Sequence, residues 1–388
     1  MRWTAQLIAG GSRPGGGACW LRRPSRRSHP LGSPGLAALL VALTLACTPN
    51  RAPAEAPPAT VATTPGASST AAAPTVSQAS PSPPIALRVA YASASASNIP
   101  VLLAYEQGLF RQQGLDVELV LLQASRTDQA VASGEAPVGF GANVLTSRLA
   151  GADLVAIAAL VNAIPYTLFV RPDSGIERPE DLRGRTVVSS VPGGTIHSAW
   201  LTLLHHYGLT PNRDVSIQTA SQGPAEQLAI MLQGLADATL LSPPVSLKAV
   251  QAGLVPLVNA ADLHLPFLQG TVGANVSYAR DHPEVITRVL RTYVSAVALA
   301  RADADAAKAA LGKYSQTDDR EVLDESYRYY RDLWGRPDFR VSREAVQAML
   351  GVIDAPGAAT AQPEDFVDNR FIDELHASGF VRESGALD

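Results

Sequence analysis

Residues 186–200 read "TVVSSVPGGTIHSAW". Thr186, Val187 and Val188 are β-branched and favour a strand. Pro192, Gly193 and Gly194 impose a turn, and Thr195 stands where a helix can begin, ahead of an amphipathic stretch that carries Trp200. A strand that turns through glycines into a helix leaves free backbone N–H groups at the positive end of the helix dipole, a place suited to a small polar or anionic group. Two specific forms of such a site are excluded. A phosphate-cradling loop needs a lysine after its last glycine, whereas Gly194 is followed by Thr195, Ile196 and His197. The dinucleotide fingerprint of three spaced glycines is missing as well.

The same grammar runs outward on both sides. "ALRVAYAS", "GLDVELVLL", "APVGFGAN" and "LVAIAAL" are short apolar runs, separated by helical stretches such as "NIPVLLAYEQGLF" and "SRTDQAVASGE", where Ser125 is a candidate N-cap. After "DLRGRTVVSSV" the pattern restarts with "TIHSAWLTLLHHYGL", in which Gly208 takes the position just past the helix end, then "DVSIQTA", "AEQLAIMLQG", "ADATLLSPP" and "GLVPLV". Short strands alternating with helices predict right-handed βαβ units and mostly parallel sheets. Val131–Leu160 and Leu232–Ala260 also resemble each other, one copy in each half, which predicts two similar α/β lobes. The last third is helical. It includes "RDHPEVITRVLRTYVSAVALARA", with a capping-box-like start at Asp281-His-Pro-Glu284, and an aromatic group of Tyr327, Tyr329, Tyr330 and Trp334 that reads as helix packing.

The residues that follow the predicted strands share one chemistry. They include Ser93, Ser95 and Asn98 after the first strand, Ser125 after the second and Asn143 after the third. In the second half Gly193, Gly194 and Thr195, then Ser221, then Ser242 hold the corresponding places. In open α/β sheets ligands bind outside the carboxyl ends of the strands. Small hydroxyl, amide and glycine residues there line a pocket and offer hydrogen bonds without filling it. Two lobes with such ends facing each other would close on a small molecule.

Composition removes other classes. The formal net charge is −4, with 46% hydrophobic and 17% charged residues, and no basic block in the folded part suits nucleic acid. Both cysteines, Cys19 and Cys47, precede residue 50, so the body carries no thiol nucleophile, disulfide or cysteine-based metal site. His197 and His205 lie eight residues apart, roughly 12 Å along a helix, too far to share an ion. No nucleophile elbow of the G-x-S-x-G kind occurs. No metal and no cofactor are therefore expected, and an enzyme is not.

The N-terminal part reads as targeting. Arg22, Arg23, Arg26 and Arg27 precede an apolar stretch, Leu31–Cys47, that is short for a membrane span and suits an export signal. "LTLAC" is similar to a bacterial lipobox, with Ala46 in place and Thr44 where that motif usually has Leu, Val or Ile, which makes Cys47 the candidate lipidated residue. Residues 47–85 are almost wholly Ala, Pro, Thr and Ser and read as a disordered tether. The expected division is 1–46 signal peptide, 47–85 lipidated cysteine and tether, 86–170 first lobe, 171–270 second lobe, and 271–388 a return to the first lobe with C-terminal helices.

Four segments carry a family resemblance: "AYEQGLFRQQGLDVELV" (Ala104–Val120), "LVAIAAL" (Leu154–Leu160), "RPEDLRGRTVVSS" (Arg178–Ser190) and "LQGLADATLLSPP" (Leu232–Pro244). In this order they resemble ABC-transporter substrate-binding proteins of the SsuA-like group, which take aliphatic sulfonates, taurine, nitrate or thiamine-pyrimidine precursors. The resemblance implies the type II periplasmic-binding fold: two α/β lobes, each a mostly parallel sheet flanked by helices, with a ligand cleft between them. It implies that the chain leaves the first lobe near Pro165–Arg171 and returns near Gly270–Ser277. It places the pocket at Ser93, Ser95, Asn98, Ser125, Asn143, Gly193, Gly194, Thr195, Ser221 and Ser242. The expected function is an exported, lipid-anchored, monomeric solute-binding protein of the cell envelope that delivers a small molecule to an ABC permease and its ATPase. The alternatives are an exported enzyme on the same fold acting on a small heterocycle, or a ligand-sensing module. The fungal pyrimidine synthases of this superfamily use a cysteine-rich iron-binding motif, which the lack of cysteine after Cys47 argues against.

Overall fold

A computed structural model describes residues 83–122 and 124–388. The expected signal segment, Cys47 and nearly all of the tether lie outside the described residues, as does Gln123.

Among the described residues, ten strands form two five-stranded sheets. In chain order they are β1 (Ile85–Tyr91), β2 (Leu115–Leu121), β3 (Val138–Ala142), β4 (Leu154–Val161), β5 (Thr167–Val170), β6 (Thr186–Ser189), β7 (Ser216–Thr219), β8 (Ala238–Leu241), β9 (Val255–Asn259) and β10 (Gln269–Asn275). The first sheet has the order β2-β1-β3-β10-β4 and the second β7-β6-β8-β5-β9. These orders are the same once β1 is matched to β6, β2 to β7, β3 to β8, β4 to β9 and β10 to β5. The internal likeness of the sequence is thus a βαβ unit present once per lobe: β3, helix Val144–Leu149 and β4 in one, and β8, helix Val245–Gln251 and β9 in the other.

Each sheet is parallel except for one strand. β10 runs antiparallel between β3 and β4, and β5 runs antiparallel between β8 and β9. These two strands differ from the expectation that Pro165–Arg171 and Gly270–Ser277 are the crossings. The chain crosses through residues 162–166 and 260–268, and the segments read as crossings are largely the strands that follow them.

Burial explains the strands. All eight residues of β4 (LVAIAALV) are buried on both faces, as a near-continuous apolar run requires. One hydrophobic cluster packs β1, β3 and β4 against helix Ile99–Glu106 and the long helix Pro283–Ala302, and includes Tyr327, Tyr330 and Trp334. Those aromatics are therefore core, while the Tyr329 hydroxyl donates to Asn259 Oδ1 at 2.9 Å. A second cluster is continuous from β4 through Tyr166 into β5, Trp200 and Leu203, and on to Val346 and Met349 of helix Arg343–Leu350. The C-terminal segment thus straps both lobes. It also covers the free edge of β4: Ala156 N–H donates to Phe366 O at 2.8 Å, and Asp368 N–H donates to Ala156 O at 2.8 Å.

Candidate functional site

The carboxyl ends of β3 and β6 meet between the lobes. β3 leads through Asn143 into helix Val144–Leu149, and β6 leads through Pro192, Gly193 and Gly194 into helix Thr195–His206. Thr195 Oγ1 donates to Asn143 Oδ1 at 3.1 Å, a bond from the second lobe to the first. A Cβ on Gly193 would meet Thr146 Cγ2 at 3.6 Å, so the glycine turn also lies against the first lobe. Gly193 has φ +80°, a left-handed conformation that accounts for glycine there.

The second glycine has a different cause. A Cβ on Gly194 would fall 2.6 Å from Ser190 Oγ and 3.0 Å from Val191 O. Ser190 Oγ accepts the N–H of His197 at 3.2 Å and so caps the helix from outside. Thr195, expected as the N-cap, is instead the first helical residue, Gly194 takes the cap position, and no cap side chain bonds the helix. Ser125 likewise sits inside helix Ala124–Ser133 rather than ahead of it. The expected capping box at Asp281–Glu284 does not form either. Asp281 ends the preceding helix and His282 becomes the N-cap, which leaves Glu284 one position short of the place a box requires.

Two recesses define the cleft. A tight one of about 20 Å³, room for about one water, is lined by Asn143, Thr146, Gly193, Thr195, Thr271 and Met349 among others. It opens beside a wider one of about 900 Å³ that includes Ser125, Asp128, Asn143, Ser147, Gly193, Gly194 and Ser221. Asn143, Gly193 and Thr195 therefore gather at one point, and Ser125, Gly194 and Ser221 at its mouth. Ser93, Ser95 and Asn98 form a separate ladder at the end of β1. Ser93 Oγ lies 2.8 Å from Ser95 Oγ, which lies 2.9 Å from Ser97 Oγ, and Asn98 Nδ2 donates to Ser93 O at 2.9 Å. Asn98 is 2% exposed, and its Oδ1 has no partner among the described residues. Ser242 faces the phenol of Tyr330, which burial pushes up to about 12. These four residues line neither recess.

Asp128 was not singled out by the sequence. It is 6% exposed, and its Oδ1 accepts the N–H of Asn143 at 3.0 Å while its Oδ2 accepts the Ser147 hydroxyl at 2.6 Å. Burial raises its pKa, against the opposing effect of those two hydrogen bonds. His197, on the far side of the glycine turn, has its pKa lowered by burial. Among the described residues lining the two recesses, the ionisable ones are Asp128 and Asp153, and none is lysine or arginine. No cluster of three or more His, Cys, Asp or Glu among the described residues could hold a metal ion. The chemistry on offer is hydrogen bonding from amides, hydroxyls and backbone, with one clamped carboxylate.

The family description "NMT1/THI5 like" matches residues 95–307, more than half of the 388-residue chain and both sides of the cleft. The chain belongs to the NMT1/THI5-like family. No curated protein matches it. Among solved structures, this NMT1/THI5-like protein is similar to the periplasmic aliphatic sulphonate binding protein SsuA from Escherichia coli, at 23% identity and TM-score 0.58, covering 78% of this chain and 96% of that one. It is also similar to the periplasmic nitrate-binding protein NrtA from Synechocystis PCC 6803, at 14% identity and TM-score 0.57, covering 78% and 91%. The desulfurization enzyme DSZB has the fold too, at 18% identity and TM-score 0.54, covering 76% and 99%. At these identities the likeness is one of fold, and that fold is the type II periplasmic-binding one.

Proposed function

We propose that this NMT1/THI5-like chain is an exported solute-binding lipoprotein that takes up a small molecule between its lobes and hands it to an ABC permease and ATPase. The observation that carries this reading is the meeting of the two sets of strand ends, with Asn143 and Thr195 in contact across the cleft. The solute-binding names of the SsuA and NrtA structures support it. Cys47 is the anchoring residue, the protein works as a monomer, and its place is the cell envelope, facing the periplasm or the outside. The bound molecule touches Asn143, Gly193, Gly194 and Thr195, with Ser125 and Ser221 at the mouth and Ser93, Ser95, Asn98 and Ser242 drawn in as the lobes adjust.

Within the group's solutes, the lining favours a pyrimidine-like ligand over a sulfonate or nitrate. A second negative charge 4 Å from a carboxylate costs about 4 kcal/mol near a protein surface, and Asp128 borders the wider recess. A heterocycle that donates hydrogen bonds meets no such repulsion.

Thermal shift against aliphatic sulfonates, nitrate and pyrimidines tests the reading. A true ligand at a hundred times its Kd adds about 2.7 kcal/mol of stability. Failure of every compound to raise Tm counts against solute binding, and turnover of any of them favours the enzyme. Incorporation of a labelled fatty acid into the wild-type chain, but not into Cys47→Ser, is expected of the anchor.

A further inference from the structure

Asn143 and Thr195 stand at the starts of their helices, and neither side chain bonds its own helix. Asn143 is the N-cap of helix Val144–Leu149 and makes no side-chain cap bond. Thr195 opens helix Thr195–His206 and makes none either. In both places another residue takes up a nearby polar group. Asp128 accepts the Asn143 N–H and the Ser147 hydroxyl, and Ser190 accepts the His197 N–H. Neither side chain is engaged by its own helix, and they bond each other across the lobes at 3.1 Å.

We propose that the Asn143–Thr195 hydrogen bond is a built-in latch that biases the lobes toward the closed arrangement, and that Asp128 is the positioning residue that sets it. The bond joins two protein groups, so its free energy is available before any solute enters the cleft. A solute that closes the lobes therefore starts from an equilibrium already tilted its way, and its apparent affinity rises with the fraction of competent molecules. A neutral hydrogen bond of this kind shifts the open-to-closed ratio by roughly two- to tenfold. The proposal rests on the reading of the cleft as a site that opens and shuts.

The test needs no ligand. Spin labels are placed at Gln112→Cys in the first lobe and Lys248→Cys in the second, both exposed positions, in the full chain with Cys19 and Cys47 replaced by serine. Pulsed-dipolar distance distributions then report the open fraction. Asn143→Ala and Thr195→Val are each expected to raise the open-to-closed ratio two- to tenfold. Their combination should raise it no further than either alone, because both remove the same bond. Thr195→Ser keeps the hydroxyl and should behave as wild type. Asp128→Ala should open the lobes, whereas Asp128→Asn, which retains an acceptor for the Asn143 N–H, should not. Melting curves exclude a general loss of fold, and Thr195→Val beside Thr195→Ser keeps the test decisive if Asp128→Ala unfolds. An unchanged distribution in Thr195→Val, additive effects in the double variant, or equal behaviour of Thr195→Ser and Thr195→Val overturns the latch. Solute binding is judged separately by thermal shift, so the latch can fail while the binding reading stands, and the reverse.

Discussion

Gly194 illustrates how little room the site leaves at the level of single residues. Its missing Cβ is the space in which Ser190 reaches the helix start. Gly194→Ala is expected to displace Ser190, leave the His197 N–H unsatisfied and cost about 1–3 kcal/mol in denaturant unfolding. His197 gives a pH signature. Burial lowers its pKa below the ordinary 6.5, so below that value the unfolded chain takes up a proton that the folded chain resists. Stability from this source is full above about pH 6.5 and is lost as pH falls toward the depressed folded value. Unfolding measured from pH 8 to pH 5 should show a steeper acid loss in wild type than in His197→Asn. Asn143 and Thr195 were legible because small polar residues after a strand are placed by topology alone. Asp128 was not. A polar residue on an amphipathic helix reads as facing water, and its burial depends on an approach that only the fold reveals. A Cβ on Gly139 of β3 would fall 2.6 Å from Val131 Cγ2 and 3.0 Å from Thr127 Cγ2, so that glycine lets the helix carrying Asp128 press onto the sheet.

Among the elements, helix Thr195–His206 was the most legible. Ile196, Ala199, Trp200, Leu203 and Leu204 are buried one helical turn apart, and this stripe is visible in the sequence. Trp200 is fully buried, and its indole N–H donates to Val188 O at 3.1 Å, tying the helix to β6. Trp200→Ala should cost about 3–5 kcal/mol, and Trp200→Phe less, with the lost hydrogen bond as its main part. β5 and β10 were the least legible. Each lies inside a sheet and is buried on both faces along most of its length, so it has no alternation to betray it. "QGTVGAN" also carries two glycines that lower its strand preference. Gly273 is nonetheless required, because a Cβ there would lie 2.9 Å from Ala142 Cβ, beside the residue that leads into Asn143.

At the scale of the molecule, the two lobes do not hang on two crossings alone, because the cluster that runs from β4 into β5 also takes in Val346 and Met349 of helix Arg343–Leu350. Trp334 donates its indole N–H to Ala96 O at 3.0 Å, so the C-terminal segment holds the serine ladder after β1. Trp334→Phe removes one of the two bonds to that carbonyl, which keeps the Ile99 N–H, and a loss of about 1 kcal/mol from the missing hydrogen bond is expected in chemical denaturation. The two-lobed plan was legible because the βα grammar restarts around Thr186–Trp200. The strap was not, since its helices read only as a helical tail and their placement is decided by long-range packing.

The nesting of one sheet within the other sets an order of assembly. All strands of the second sheet lie in one stretch, from Thr167 to Asn259. The first sheet is interrupted: within it β4 pairs with β10, which arrives more than a hundred residues after β3 begins, and the segment that covers its other edge at Ala156 comes later still. A chain emerging from its amino end can therefore complete the inner lobe while β4 still has an apolar face and unmet backbone groups. Contacts of such separation close late because the intervening loop must first be ordered. Pulse-labelled hydrogen exchange during refolding should accordingly protect β6 and β8 before β4. The interval between them is the period in which the apolar face of β4 is open to other chains.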